Sequence, residues 1–129
     1  MSTRRFCGFA MIVGLSAIGC GGSDALSPRE LCEQLSSAQC ERIYACYTAA
    51  EIQAGGAPAT EAACVTQLQA ERGCSQETLS NVCTGNEKYH GDQASLCVDQ
   101  TMGLPCSQVR DPNFDPATAT PACVKACSV

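Results

Sequence analysis

The chain has 129 residues, 12 of them cysteine, no tryptophan, and a formal charge of −5. This length allows one small domain, and the acidic balance argues against a nucleic-acid binder or a basic patch docked on anionic lipid. Beyond position 20 the only aromatic residues are Tyr44, Tyr47, Tyr89 and Phe114. A core of Leu, Val, Ala and Cys is thin at this length, so cross-links have to supply what burial lacks.

Arg4 and Arg5 precede an uncharged apolar run, Phe6 to Ile18, which ends at Ala17-Ile18-Gly19-Cys20. This is the layout of a secretory signal, and the run is too short for a membrane-spanning helix. The junction resembles the lipobox of bacterial lipoproteins, in which a pattern like Leu-Ala-Gly-Cys is lipidated on the cysteine and cut just before it. Ile18, Gly19 and Cys20 fit; Ala17 stands where leucine is most usual. The resemblance covers residues 1–20 alone. It implies that residues 1–19 are removed and that Cys20 carries acyl chains, with the membrane as partner. Gly21, in place of the aspartate that resembles an inner-membrane retention signal, favours sorting to the outer membrane. A twin-arginine route fits poorly with the residues after Arg4-Arg5. It also exports folded proteins, whereas this chain has disulfides to form after export. Residues 20–26 then read as the lipidated cysteine and a flexible tether, and 27–129 as the cysteine-rich helical domain. Loss of Arg4 and Arg5 takes the formal charge from −5 to −7.

Ser27-Pro28-Arg29-Glu30 is a helix start, with a capping serine, a proline at the first helical position and a glutamate to complete the box. Cys32, Leu35, Ile43 and Cys46 recur on one face, with Cys40 and Tyr47 at its margin, which predicts a helix over about 28–49. Gly55-Gly56-Ala57-Pro58 breaks the chain. Thr60 caps a second helix with Cys64, Val65 and Leu68 inside, closed by Gly73. Ser75 is expected to cap a short helix carrying Leu79, Val82 and Cys83, ended by Gly85. After a polar loop, Asp92 is expected to cap a helix through Leu96, Cys97 and Val98, with Gly103 beyond it. Leu104 to Ala119 reads as an ordered loop with turns at Asp111-Pro112 and Asp115-Pro116, pinned by Cys106. Thr120-Pro121 opens a last short helix with Cys123 and Cys127. No segment shows sustained strand alternation. The expected fold is all-α, a small bundle of four to five short helices cross-linked by about five disulfides.

Cys7 leaves with the signal and Cys20 takes lipid. Cys32, Cys40, Cys46, Cys64, Cys74, Cys83, Cys97, Cys106, Cys123 and Cys127 remain, an even number in an oxidising compartment. Five disulfides follow, but their pairing is not fixed by sequence. Cys46 and Cys64 could meet across an antiparallel hairpin. Cys123 and Cys127 share a helix face four residues apart, so each is expected to bond elsewhere, with Cys97 and Cys106 as partners.

Motifs for chemistry are sparse. No Cys-x-x-Cys occurs, which removes convincing zinc spacing, a thioredoxin-like site and attached haem. His90, the only histidine, reads as a solvated loop residue with no nucleophile to serve. Asp111, Asn113 and Asp115 alternate as calcium ligands do, but prolines interrupt them and no glycine or closing glutamate follows. Tyr44 and Tyr47, three apart, read as core and boundary packing. The expectation is therefore no catalytic residue, no metal and no cofactor. The chain is expected to be an exported outer-membrane lipoprotein, facing the periplasm or the cell surface, that binds or serves the envelope without catalysis. It resembles the small cysteine-rich lipoproteins of Gram-negative bacteria. The alternative is a disulfide-stabilised inhibitor or small-ligand-binding module, for which Leu104 to Ala119 is the segment of interest.

Overall fold

The structure, a computed structural model, describes residues 24–129. The expected signal segment, residues 1–19, and Cys20 lie outside the described residues. Among these residues, seven α-helices and one two-stranded ribbon make an all-α, disulfide-rich domain: α1 (Pro28–Cys46), α2 (Ala49–Ala54), α3 (Glu61–Glu71), β1 (Lys88–Tyr89), α4 (Gly91–Met102), α5 (Cys106–Val109), α6 (Pro116–Ala119), α7 (Pro121–Lys125) and β2 (Cys127–Ser128). A 3-10 turn, Cys74–Gln76, follows α3.

The helix ends follow local chemistry. Ser27 Oγ accepts from the Glu30 amide, and the Glu30 carboxylate accepts from the Ser27 amide at 2.8 Å, the reciprocal box expected from sequence. Thr60 caps α3 through the Ala63 amide alone, since the Ala63 side chain has no acceptor to return the bond. Gly73 ends α3 at φ 66°, a left-handed conformation that glycine adopts at least cost. Two boundaries differ from expectation. The first helix stops at Cys46 instead of running to 49, because Tyr47 turns extended and Thr48 starts α2 with its own box to Glu51. The helix expected after Ser75 is a single 3-10 turn, and Leu79 is 73 % exposed. Cys74 and Cys83 are drawn to different partners, Cys32 and Cys127, and the chain between them is stretched across turns.

The five disulfides give the architecture. Cys32–Cys74 encloses Cys40–Cys64 and staples α1 against α3. Cys83–Cys127 encloses Cys97–Cys123; the inner bond staples α4 against α7, and the outer one ties the turn before β1 to β2, which pairs with β1. Each half is a pair of segments closed by two nested bonds. α1 packs on α4 to join the halves, and among the described residues Cys46–Cys106 is the one disulfide between them. The expected Cys46–Cys64 bond is therefore corrected. Cys64 takes Cys40, which lies on the fully buried face with Ser36, while Cys46 points elsewhere and reaches α5. Cys123 and Cys127 do bond to different partners; Cys97 is one of them, but Cys106 is not.

The core is made of small side chains. Ala38, Cys40, Cys64, Cys74, Ala94, Cys97, Ala122 and Ala126 are buried, and only Ile52 and Leu104 add larger aliphatics. Leu35 and Ile43, expected at the centre of the first helix's core face, are half-buried and face a cleft.

The chain enters the domain beside the start of α4. The Leu26 amide donates to the Gly91 carbonyl at 3.1 Å, and Tyr89 Oη donates to the Leu26 carbonyl at 2.8 Å. Burial there pushes the Tyr89 hydroxyl up to about 12. A side chain at Gly91 has no room, since a Cβ would stand 2.7 Å from the Leu26 carbonyl oxygen. Gly91→Ala is expected to lift residues 24–26 off the domain. Amide exchange at Leu26 should rise about tenfold or more while α4 stays protected; unchanged exchange at Leu26 would count against this contact.

Candidate functional site

Between the two halves lies a cleft of about 310 Å³. α1 supplies Leu35, Gln39, Arg42 and Ile43. The end of α4 and the turn after it supply Thr101 and Leu104. The segment that leads back to α7 closes the cleft with Val109, Phe114 and Pro116, followed by Thr120 and Cys123. The volume falls at the lower end of the range that small-molecule sites occupy, roughly 300–1,000 Å³, and the lining is mostly apolar.

Leu104 to Ala119, expected as an ordered loop, forms two short helices that make one side of this cleft. The signal for the second was present in Asp115-Pro116: Asp115 Oδ1 accepts from the Ala117 amide at 3.0 Å, and proline takes the first helical position. Asp111 Oδ1 accepts from the Asn113 amide at 2.8 Å. Both carboxylates of the alternating acidic stretch are thus engaged in turns and caps.

The segment is held to α1 at one junction. Cys106 bonds to Cys46. Tyr47 Oη donates to the Val109 carbonyl at 3.2 Å. Arg110 lies 4.8 Å from the centre of the Tyr47 ring, donates to the Cys46 carbonyl at 2.8 Å and pairs with Glu51. Tyr44 Oη donates to the Pro58 carbonyl, so both tyrosines serve packing at the boundary of α1. The Glu51 carboxylate also accepts from the Thr48 amide. The Arg110 guanidinium, with Thr48, holds its carboxyl down at about 2. The folded state therefore gains from this group above the ordinary carboxylate range and loses that gain as pH falls toward 2. A carboxyl-carbon NMR titration should give a Glu51 midpoint near 2, rising toward the ordinary value in Arg110→Gln. An ordinary midpoint in the unaltered protein would contradict the junction.

The electrostatics of the cleft differ from those of the chain. No carboxylate lines it, and Arg42 is its charged side chain. Arg42 Nη2 stands 3.4 Å from Cys46 Sγ and 3.8 Å from Cys106 Sγ, and its Nε is buried without a partner. Arg72 reaches the other side of Gln39, donating to its side-chain oxygen and to Ser36 Oγ at 3.3 Å. Thr101 and Thr120 spend their hydroxyl protons on the Cys97 and Pro116 carbonyls, at 2.9 and 3.0 Å. Sequence reasoning singled out the 104–119 segment but not Arg42, whose surroundings come from four separate stretches of chain.

His90 is not the solvated loop residue expected. It precedes α4, where Asp92 had been expected as the cap, and its amide donates to the Ala126 carbonyl at 2.9 Å. Its Nε2 is buried and unpaired. The ribbon of β1 and β2 extends the backbone into His90 and starts α4 one residue before Asp92, which sits in the first turn.

Compared with family models, with curated proteins and with solved structures, the chain has no significant match. Five disulfides are those of a protein from an oxidising, extracellular-type compartment. Among the described residues no helix is long and apolar enough to cross a membrane.

Proposed function

We propose that this chain is an exported outer-membrane lipoprotein, anchored through lipid on Cys20, whose domain binds a small apolar ligand without catalysis. The observation that carries the reading is the apolar cleft at the junction of the two stapled halves. The anchor is supported by Ala17-Ile18-Gly19-Cys20 and by an oxidised scaffold, which export would provide. Of the two alternative uses of such a scaffold, small-ligand binding is favoured over inhibition. The 104–119 segment folds against α1 instead of projecting as a loop, and Arg110, Tyr47 and Cys106 hold it there.

The placement also suits an anchored binder. Leu26 is fixed at the shared start of α1 and α4. Arg42 lies fourteen residues beyond Pro28 in α1, about 21 Å along a helix that rises 1.5 Å per residue. Leu26 thus stands at the end of α1 remote from Arg42, which keeps the attachment point of an anchor apart from Arg42.

Two measurements test this reading. Intact mass of unreduced protein from a Gram-negative envelope should match residues 20–129 plus acyl chains, with every remaining cysteine blocked until reduction. An unlipidated mass would remove the anchor. Calorimetry with a neutral alkanol should then saturate at one site per chain, and Val109→Trp, which fills the cleft, should weaken it about tenfold or more. Absence of saturable binding would remove the cleft as a site.

A further inference from the structure

We infer that the cleft takes a single-chain amphiphile with one carboxylate head, the head on Arg42 and the tail against Leu35, Ile43, Leu104 and Phe114. The inference rests on the reading of the cleft as a ligand site and names the ligand's chemistry.

Arg42 is the reason. A guanidinium has five donors and does not give up its charge. The protein acceptors within reach of Arg42 are the two sulfurs of Cys46–Cys106, both weak. Its guanidinium lines the cleft with no oxygen acceptor, and its Nε has no partner either, an arrangement that costs free energy until a strong acceptor arrives. Two other arginines among the described residues have carboxylates: Arg29 pairs with Glu33, and Arg110 with Glu51. The chain has thirteen acidic residues, yet none lines the cleft. Arg72 adds a second cation behind Gln39 and holds that amide by its oxygen, which leaves the amide nitrogen as a further donor. A planar carboxylate matches a guanidinium edge, with charge-assisted bonds roughly twice as strong as neutral ones.

Size sets the tail. At roughly 30 Å³ for each unit the size of a water molecule, a cleft of about 310 Å³ holds on the order of ten such units. That suits one medium-length alkyl chain.

The test compares decanoate with decanol, which share a tail and differ in charge. Calorimetry at neutral pH uses the oxidised full chain with Cys20→Ser, so that no attached lipid competes. Decanoate should bind about tenfold or more tightly than decanol, and added salt should narrow the gap. Arg42→Gln should bring decanoate down to about the affinity of decanol. In the protein with Arg42 intact, the Arg42 Nε–H resonance should shift with decanoate and not with decanol, a readout that does not depend on a variant folding. Equal affinity for both probes, or an unmoved Nε–H resonance on saturation with decanoate, would overturn the inference and leave the cleft as a neutral apolar site. Saturable binding of neither probe would overturn both the inference and the reading beneath it.

Discussion

Full reduction is expected to unfold this domain at room temperature, without denaturant. The fully buried side chains of greatest volume are Cys40, Cys74, Cys97 and Ser36. Three of these are half-cystines, so much of the core is itself cross-link. Ile52 and Leu104 are the only large aliphatic residues among the buried hydrophobic ones, and a fully buried aliphatic side chain is worth about 1.5–3 kcal/mol. Each disulfide is worth on the order of 2–4 kcal/mol, chiefly by restricting the unfolded chain. A domain's whole stability is about 5–15 kcal/mol. Even with overlap between nested loops, five bonds are of the same size as that margin. Far-ultraviolet circular dichroism should lose most of its helical signal on adding a phosphine reductant, and the cooperative thermal transition should vanish. A reduced protein that kept both would mean that helix packing alone sustains the fold.

The second large effect is expected from the bridge between the halves. Cys46 and Cys106 are 60 residues apart in sequence. In the chain-entropy view a loop of this length is worth about 4 kcal/mol, less whatever the other cross-links already restrict. The double variant Cys46→Ala, Cys106→Ala should lose up to that amount in urea titration while keeping its helical signal, since both nested pairs remain. Ligand binding should suffer more than helicity. α5 would be held to α1 only by Arg110 and Tyr47, so the wall made by Val109, Phe114 and Pro116 would swing free of Leu35 and Ile43. Alkanol affinity is expected to fall about tenfold or more. Unchanged affinity would show that the bridge is not what closes the cleft.

Local signals were legible where one residue type does one job. The Ser27-Pro28-Arg29-Glu30 start, the Thr60 cap, the ends at Gly73 and Gly103 and the Thr120-Pro121 start all fall where side-chain and backbone chemistry places them. The break after Cys46 was legible too, as Thr48 followed three residues later by Glu51, but the apolar periodicity running through it masked the signal. Pairing was not legible, because it depends on which face of α1 meets α3. Cys40, placed by periodicity at the margin, is at the centre. Leu35 and Ile43, placed at the centre, face the cleft. Periodicity finds an apolar stripe but does not say whether protein or ligand covers it. The short ribbon of β1 and β2 gave no signal, since two residues on each side are too few to alternate.

The order of the cysteines has a consequence for how a cell makes this protein. None of the five bonds joins cysteines that are neighbours in sequence: Cys32 waits for Cys74, Cys46 for Cys106, and Cys83 for Cys127. A chain entering an oxidising compartment from its N-terminus presents Cys32 and Cys40 first, and an oxidant that joins thiols as they appear would couple those two. The native set is then reached by thiolate attack on such early bonds through mixed disulfides. Yield in such a compartment would be governed by the capacity to reshuffle disulfides, more than by the capacity to form them.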